Sequence, residues 1–264
     1  MAVYTDVVRY RELFANLFRR DFQAKYRGSA LGLAWSLVNP LALMAVYLVV
    51  FGILFNQRST IPHYPLYLLA GLACWIFFST SLQAGARSLV DNAELVKKVR
   101  FPRQLVPFSV VATQLVTFAV MLAILIVLSL VLVPGARAWV WLSIPLAALF
   151  VAFVFGFALV IACLNVLYRD VEHLLAAVLF PWFIVTPILW SFATVHLGGH
   201  HKLENLLRWG NVVSPPIYAV RAPLWSGHGP RVADVVYLAV AAIVALALGA
   251  WLFSRVDDRI AVEL

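Results

Sequence analysis

Two groups of side chains in this sequence have the composition of a chemical site. Tyr168-Arg169-Asp170, with Glu172 and His173 close behind, sets two carboxylates, an imidazole and a guanidinium within six residues. Carboxylates and imidazoles are the usual general acids and bases, so proton-transfer chemistry at one interface is the reading to test. The set follows directly on a long apolar run, however, where charges ordinarily anchor or cap the end of a span. His196, His200, His201 and His228 form the second group, and imidazole is a common metal ligand. Their spacing through Gly198-Gly199 follows no ligand pattern. The expectation is therefore no catalytic residue and no metal, with an enzyme acting on lipid-linked intermediates kept as an alternative.

A third stretch is chemically plainer and more informative. Residues 91–107 read Asp-Asn-Ala-Glu-Leu-Val-Lys-Lys-Val-Arg-Phe-Pro-Arg-Gln-Leu-Val-Pro, a polar island between two hydrophobic runs. Apolar residues recur at Ala93, Val96, Val99 and Phe101 with Lys97, Lys98 and Arg100 between them, which predicts one or two turns of amphipathic helix. Asn92 is positioned as its cap and Pro102 as its stop. Such a piece cannot bury itself, so its apolar side needs the headgroup layer or a groove on another protein. The pattern alone leaves both open.

The elements around these stretches are those of a membrane protein. Apolar residues make up 64% of the 264 and charged residues 12%, against about 25% charged in soluble domains. Crossing the hydrocarbon core takes ~20 apolar residues, so the length allows six or seven spans and no soluble domain besides. The runs show no alternation of period two, which excludes a barrel. Spans are expected at 33–55, 66–90, 105–133, 141–164, 174–190 and 235–254, the fifth short and broken by Pro181 and Pro187. Before them, residues 5–27 place Tyr10, Leu13, Phe14, Leu17, Phe18 and Phe22 at helical spacing opposite Arg9, Glu12, Asn16, Arg19, Arg20 and Gln23, the pattern of an interfacial helix. Asp21 and Lys25 fall on the apolar side and, four residues apart, are expected to pair with each other. Proline-broken segments between the fifth and last spans, around 203–207 and 214–221, are expected to be re-entrant or interfacial helices. Cys74 and Cys163 lie in apolar runs, so no disulfide is expected.

Charge gives orientation. Of the 20 lysines and arginines, fourteen fall in the N-terminal segment, the island, the 165–171 loop and the tail, and six in the alternate loops. Both termini and the island are accordingly expected in the cytoplasm, and the basic balance of +8 reflects membrane orientation and no nucleic-acid partner. No Asp, Glu, Lys or His stands at mid-depth of a run, which disfavours ion-coupled transport. A Gly-x-x-x-x-Gly-Lys-[Ser/Thr] loop is also lacking, so any ATP is bound by another subunit.

Four stretches then carry a resemblance: Arg20-Asp21 with Lys25-Tyr26-Arg27-Gly28-Ser29-Ala30-Leu31-Gly32-Leu33-Ala34-Trp35 and Pro40; the island at Asn92, Leu95, Lys98, Phe101-Pro102 and Pro107; Tyr168-Arg169-Asp170-Val171; and Thr186-Pro187-Ile188-Leu189-Trp190. In this order they resemble the membrane subunits of ABC-2 type polysaccharide exporters, which move O-antigen, capsule, teichoic acid and related glycans. Ser214-Pro215-Pro216 stands where that family usually has Asn-Pro-Leu, and the 196–201 insert has no counterpart. The resemblance implies a single all-α domain over 1–264, with an N-terminal interfacial helix over 1–32, six spans over 33–254 and a cytoplasmic tail over 255–264. It implies two copies in the inner membrane with two copies of a separate ATPase that binds ATP and Mg, and a polyprenyl-linked polysaccharide as cargo. Asn92, Leu95, Lys97, Lys98, Phe101 and Pro102 would then contact the ATPase. Arg19, Arg20, Lys25, Tyr26, Arg27, Trp35, Tyr47, Phe51, Trp182 and Trp190 would line the substrate's way in and channel. A drug or lipid exporter of the same superfamily is the nearest alternative.

Overall fold

The computed structural model describes residues 9–28, 32–99, 101–192 and 201–263; residues 29–31, Arg100 and the 196–200 part of the histidine-rich insert lie outside them. Every regular element among the described residues is helical. In chain order these are α1 (Arg11–Tyr26), α2 (Trp35–Tyr47) continued by a π-helical stretch (Leu48–Leu54), α3 (Gln57–Thr60), α4 (Tyr64–Asp91) and α5 (Ala93–Lys98). Then follow α6 (Leu105–Leu132), α7 (Ser143–Leu167), α8 (Val171–Val185), α9 (His201–Asn205), α10 (Ser214–Trp225) and α11 (Val232–Glu263).

Five segments are long and apolar enough to cross a membrane: Leu37–Leu54, Tyr64–Asp91, Leu105–Leu132, Val140–Leu167 and Val232–Asp257. They correspond to five of the six expected runs. The remaining run forms α8, which has 15 residues and so measures roughly 22 Å, short of the ~30 Å hydrocarbon core. It begins three residues earlier than expected and ends at Val185 because Thr186 precedes a proline. That residue is extended (φ −76°, ψ 131°), as the clash with a following pyrrolidine ring requires. At the other end of the chain the expected tail is not a separate piece, since α11 continues through it to Glu263.

α4 is the spine of the fold. Tyr67, Leu68, Phe78, Leu82, Ala86 and Leu89 are fully buried along it, and it packs against α2, α6, α7, α8 and α10. α7 and α11 approach most closely: a Cβ on Gly156 would lie 2.4 Å from Ala245 C and Leu246 N, and one on Gly249 would lie 2.7 Å from Gly156 O. Small residues let two backbones touch in this way, which is how membrane helices gain packing where lipid removes the hydrophobic drive between them. The large apolar residues left exposed run along α2, α8 and α11 (Val38, Leu41, Leu174, Val178, Val240, Ile243), faces that belong against lipid or protein.

α1 packs onto α6. Leu17 is buried in a cluster with Leu89, Val96, Leu105 and Phe253. The expected Asp21–Lys25 pair does not form. Asp21 instead accepts hydrogen bonds from Ser109 Oγ (2.7 Å) and Arg20 Nη2 (2.8 Å), while Lys25 Nζ donates to Gln114 Oε1 (2.8 Å). The cause is a polar row on α6, Ser109, Gln114 and Thr117, which faces both side chains and outcompetes a pairing along one helix worth only ~0.2–0.5 kcal/mol.

Candidate functional site

The island is built as a short helix held at both ends. α4 closes at Asp91, and Asn92 makes no capping bond to α5. Its Nδ2 donates back to Ser88 O (2.8 Å) and its Oδ1 accepts from Arg20 Nη2 (2.6 Å). Asn92 therefore ties α1 to the junction of α4 and α5, a different use of the side chain from the expected cap. α5 stops at Lys98, with Val99 extended (φ −119°, ψ 134°), three residues before the expected Val-Arg-Phe-Pro stop is complete. Val96 is buried, Asn92, Leu95, Phe101 and Pro102 are half-buried, and Lys97, Lys98 and Val99 are exposed. Leu95 and Phe101 pack on the chain's own cluster around Leu17 and Val96. Lys98 pairs with Glu94 one turn earlier, leaving Lys97 and Val99 as the least engaged part of the outward face.

Two further ties flank the island. Arg87, one turn before it, forms an ion pair with Glu172 at the start of α8. The same corner is fixed by buried Asn165, whose Nδ2 donates to Ala86 O and whose Oδ1 accepts the Glu172 N–H, both at 2.9 Å. After the island, Arg103 Nη1 donates to the backbone carbonyl and to Oδ1 (3.1 Å) of Asp257 on α11. The segment is thereby joined to α1, α7, α8 and α11. Glu172, read from the sequence as a candidate acid or base, is part of this framework.

The residues expected along the substrate path fall in three places. Arg19, Arg20 and Arg27 flank a trough along α1 with Asn16 and Gln23. Lys25, Tyr26 and Trp35 line a half-open cavity of about 390 Å³ between α1, α2, α4 and α6. Tyr47 lines a groove of about 340 Å³ between α2, α4 and α8, together with Asn39, Ser79, Thr80, Gln83 and Phe183. Phe51 stacks on Phe55 (5.5 Å) and meets the Tyr47 ring at 6.2 Å. Trp182 lies edge-on to Phe78 (5.5 Å, 86°) and donates Nε1–H to Asn211 Oδ1 (2.9 Å). Trp190 is half-buried and donates to Ile184 O (3.1 Å). Both indole N–H groups are thus spent on this chain's own fold.

Sequence reading gave no site role to the polar residues that accompany these aromatics. Ser79 and Gln83 are four apart on α4, and Gln114 and Thr117 three apart on α6. In otherwise apolar runs that spacing marks a polar stripe on one helix face. It also misread Arg221, counted as a loop cation. The side chain is fully buried in α10, with its guanidinium carbon 3.6 Å from the Tyr67 ring centre and 4.3 Å from that of Tyr218, and Nη1 donates to Pro187 O (3.1 Å). Two aromatic faces and one carbonyl make burial tolerable for a weakly hydrated planar cation.

The sequence pattern of ABC-2 type transporters matches residues 12–225. Over 191 residues the chain is 36% identical to the O-antigen export system permease protein RfbA of Myxococcus xanthus, which covers 72% of this chain and 72% of that protein. Two proteins of the same name from Klebsiella pneumoniae are each 32% identical to it, over 182 and 184 residues, covering 68% of this chain and 69% of theirs. The apolar helices, the polar segment tied between them and these likenesses agree, and the chain belongs to the ABC-2 type transporter family.

Proposed function

We propose that this chain is the permease subunit of an exporter that moves a lipid-linked cell-envelope glycan, O-antigen or a chemically similar polymer, across the inner membrane. It works as two copies with two copies of a separate ATPase, which binds ATP and Mg, and both termini face the cytoplasm. The observation that carries this reading is likeness over about seven-tenths of the chain to permeases named for O-antigen export. In this reading α8 and the turns after it make the fifth of six crossings, and α10 is re-entrant at the outer face.

Coupling follows from the ties around α5. A partner seated on Lys97, Lys98 and Val99 would push a segment bonded to α1, α8 and α11, so closure of the ATPases on ATP moves several helices together, a hinge or shear transition. Leu95 and Phe101 then set the pose of that surface from beneath. Arg19, Arg20 and Arg27 offer guanidinium groups to the pyrophosphate of the carrier lipid. Tyr47 with Ser79 and Gln83 offers an aromatic face and hydroxyl or amide tips to sugar rings. The chain performs no covalent chemistry.

Depleting the protein and labelling inverted and right-side-out vesicles separately tests this. Polyprenyl-linked glycan should accumulate on the cytoplasmic face. Unchanged glycan with altered drug sensitivity would refute the reading in favour of a drug or lipid exporter, and a block in synthesis of the intermediate would point to an enzyme.

A further inference from the structure

α10 carries a cation that neither the partner face of α5, the arginine trough nor the aromatic groove uses. Arg221 is fully buried, and one face of α4 makes its seat. Tyr64, Tyr67 and Gly71 recur there at helical spacing. The guanidinium carbon stands 3.6 Å from the Tyr67 ring centre and 4.3 Å from that of Tyr218. A Cβ on Gly71 would come within 3.3 Å of Arg221 Nη1 and 3.0 Å of Ile188 Cγ2. The bare glycine thus makes the room in which Arg221 meets the 186–190 turn.

That turn is non-helical backbone inside the protein, with Ile188 and Leu189 buried. Such backbone is tolerated within a membrane protein only where protein covers it and its polar groups are met. Here side chains meet them. Leu189 O accepts from Tyr64 Oη (2.9 Å) and Trp190 O from Tyr67 Oη (2.7 Å). Pro187 O accepts from Arg221 Nη1 (3.1 Å), with Tyr67 Oη also at 3.2 Å. A phenol has a single proton to donate, and Tyr67 favours the nearer Trp190 O, so Pro187 O depends on Arg221. The rest of the guanidinium is idle. Nε and Nη2 are buried without a hydrogen-bond partner, and no carboxylate among the described residues forms an ion pair with it.

A buried charge left with idle donors is costly, and an apolar residue of similar volume in its place is often neutral or stabilising. An ionised side chain kept at that cost inside a membrane protein marks a function by default. The neighbourhood says which. Each carbonyl of the turn has one donor, and Tyr64 and Tyr67 can hold it in a single position only. A guanidinium is a planar fork that holds two acceptors at once. We infer that Arg221 is a positioning residue for transport: as α4 is displaced, it takes a second carbonyl of the 186–190 turn on Nε or Nη2 before Tyr64 or Tyr67 lets one go. The turn then stays fastened to α4 and α10 throughout the stroke, and the movement reaches the end of α8. This role rests on the reading of the chain as a permease driven by a separate ATPase.

The test uses two variants of the purified permease–ATPase complex. Arg221→Met removes every donor at similar volume. Arg221→Lys keeps a cation for the two rings and for Pro187 O but lacks the fork, and it carries the test alone should Arg221→Met fail to assemble. Hydrogen exchange of peptides covering 186–192 is followed without nucleotide and with ATP trapped by vanadate, beside Tm, ATP hydrolysis and glycan transport. In both variants Tm should stay within ~4 °C of wild type. Exchange should stay within about twofold of wild type without nucleotide and rise about tenfold with ATP trapped. Transport should fall several-fold while ATP hydrolysis persists. Wild-type exchange in the trapped state of Arg221→Lys would show the idle donors to be unused and overturn the inference. So would a Tm that falls together with faster exchange in both nucleotide states, which makes Arg221 a residue of the fold alone. A wild-type complex that moves no glycan would count against the proposed cargo, and the exchange comparison would still decide the role of Arg221.

Discussion

Replacing Gly156 with alanine should loosen the α7–α11 crossing, and the size of the effect can be worked out. The new Cβ would meet Ala245 C and Leu246 N at 2.4 Å, where ordinary contact begins at 3.4 Å. Both obstacles are backbone, so no rotamer change relieves the clash and the helices must part by about 1 Å locally. A gap of 0.5–1 Å forfeits a quarter to a half of the dispersion well of each contact opened, and overpacking typically costs ~1–3 kcal/mol. The upper end applies here because the obstacle is rigid. Alanine recovers ~0.5–1 kcal/mol of helix propensity, leaving a net loss of about 2 kcal/mol, or roughly 4–8 °C in Tm at ~2–4 °C per kcal/mol. Gly85 is the internal control: its Cβ would meet the Ala158 Cβ at 3.2 Å, an equally rigid atom but only about 0.2 Å inside ordinary contact, so propensity and strain should nearly cancel. The assay is scanning fluorimetry of the purified permease in one detergent, and Gly156→Ala unfolding within ~2 °C of Gly85→Ala would refute the reasoning.

Charge reversal at Lys97 and Lys98 should release the ATPase in co-purification while leaving the Tm of the permease within ~2 °C, since both side chains are exposed; a parallel loss of Tm would make them part of the fold instead. Phe101→Asp differs, because Phe101 packs on the Leu17–Val96 cluster: ATPase binding and Tm should both fall, the latter by a burial loss of about 1–3 kcal/mol, and a stable, fully coupled variant would sink that view. Asn165→Leu leaves the Ala86 carbonyl and the Glu172 N–H without their partner and should cost ~1–3 kcal/mol, measured by thermal unfolding against Arg87→Gln, whose half-exposed ion pair should cost under ~1 kcal/mol. Tyr67→Phe removes hydrogen bonds to Trp190 O (2.7 Å) and Pro187 O (3.2 Å) while keeping the ring under Arg221. ATP hydrolysis should persist as export falls, and export at the wild-type rate would show those bonds to be idle.

What the sequence made legible is what periodicity and composition encode locally. Apolar runs longer than 20 residues leave little choice but helix, so α4, α6 and α7 match the expected spans to within three residues, while α11 runs nine residues past its expected end; spacing alone puts Lys97 and Lys98 on the outer side of α5. What was not legible depends on the partner face. Asp21 and Lys25 looked like an intrahelical pair because Ser109 and Gln114 lie some ninety residues away, and nothing local announces that α6 turns its polar row toward α1. Asn92 looked like a cap because asparagine before a helix usually is one, yet the carbonyl of Ser88 and the guanidinium of Arg20 reach it first. Arg221 counts among the loop cations because a lone arginine beside prolines has no apolar period of its own; only the rings of Tyr67 and Tyr218, on α4 and α10, make it a buried residue.

Those long-range bonds give α4 a role that its sequence conceals. At one end it carries the island, fastened to α1, α8 and α11. At the other, Tyr64 Oη donates to Leu189 O (2.9 Å) and Tyr67 Oη to Trp190 O (2.7 Å), while the Tyr67 ring supports Arg221 of α10. Twenty-eight residues of helix, about 42 Å, thus join the island to the turn that ends α8. No proline interrupts it beyond Pro65 in its first turn. A displacement imposed on the island reaches the 186–190 turn unless α4 bends, and its weakest point is local: Ser79 and Thr80 both return their hydroxyls to the Ile76 carbonyl (3.3 and 2.6 Å), a competition with the backbone ladder that bends helices. Thr80 lines both the Lys25 cavity and the Tyr47 groove. Whatever fills either space therefore presses on the point where α4 is easiest to flex.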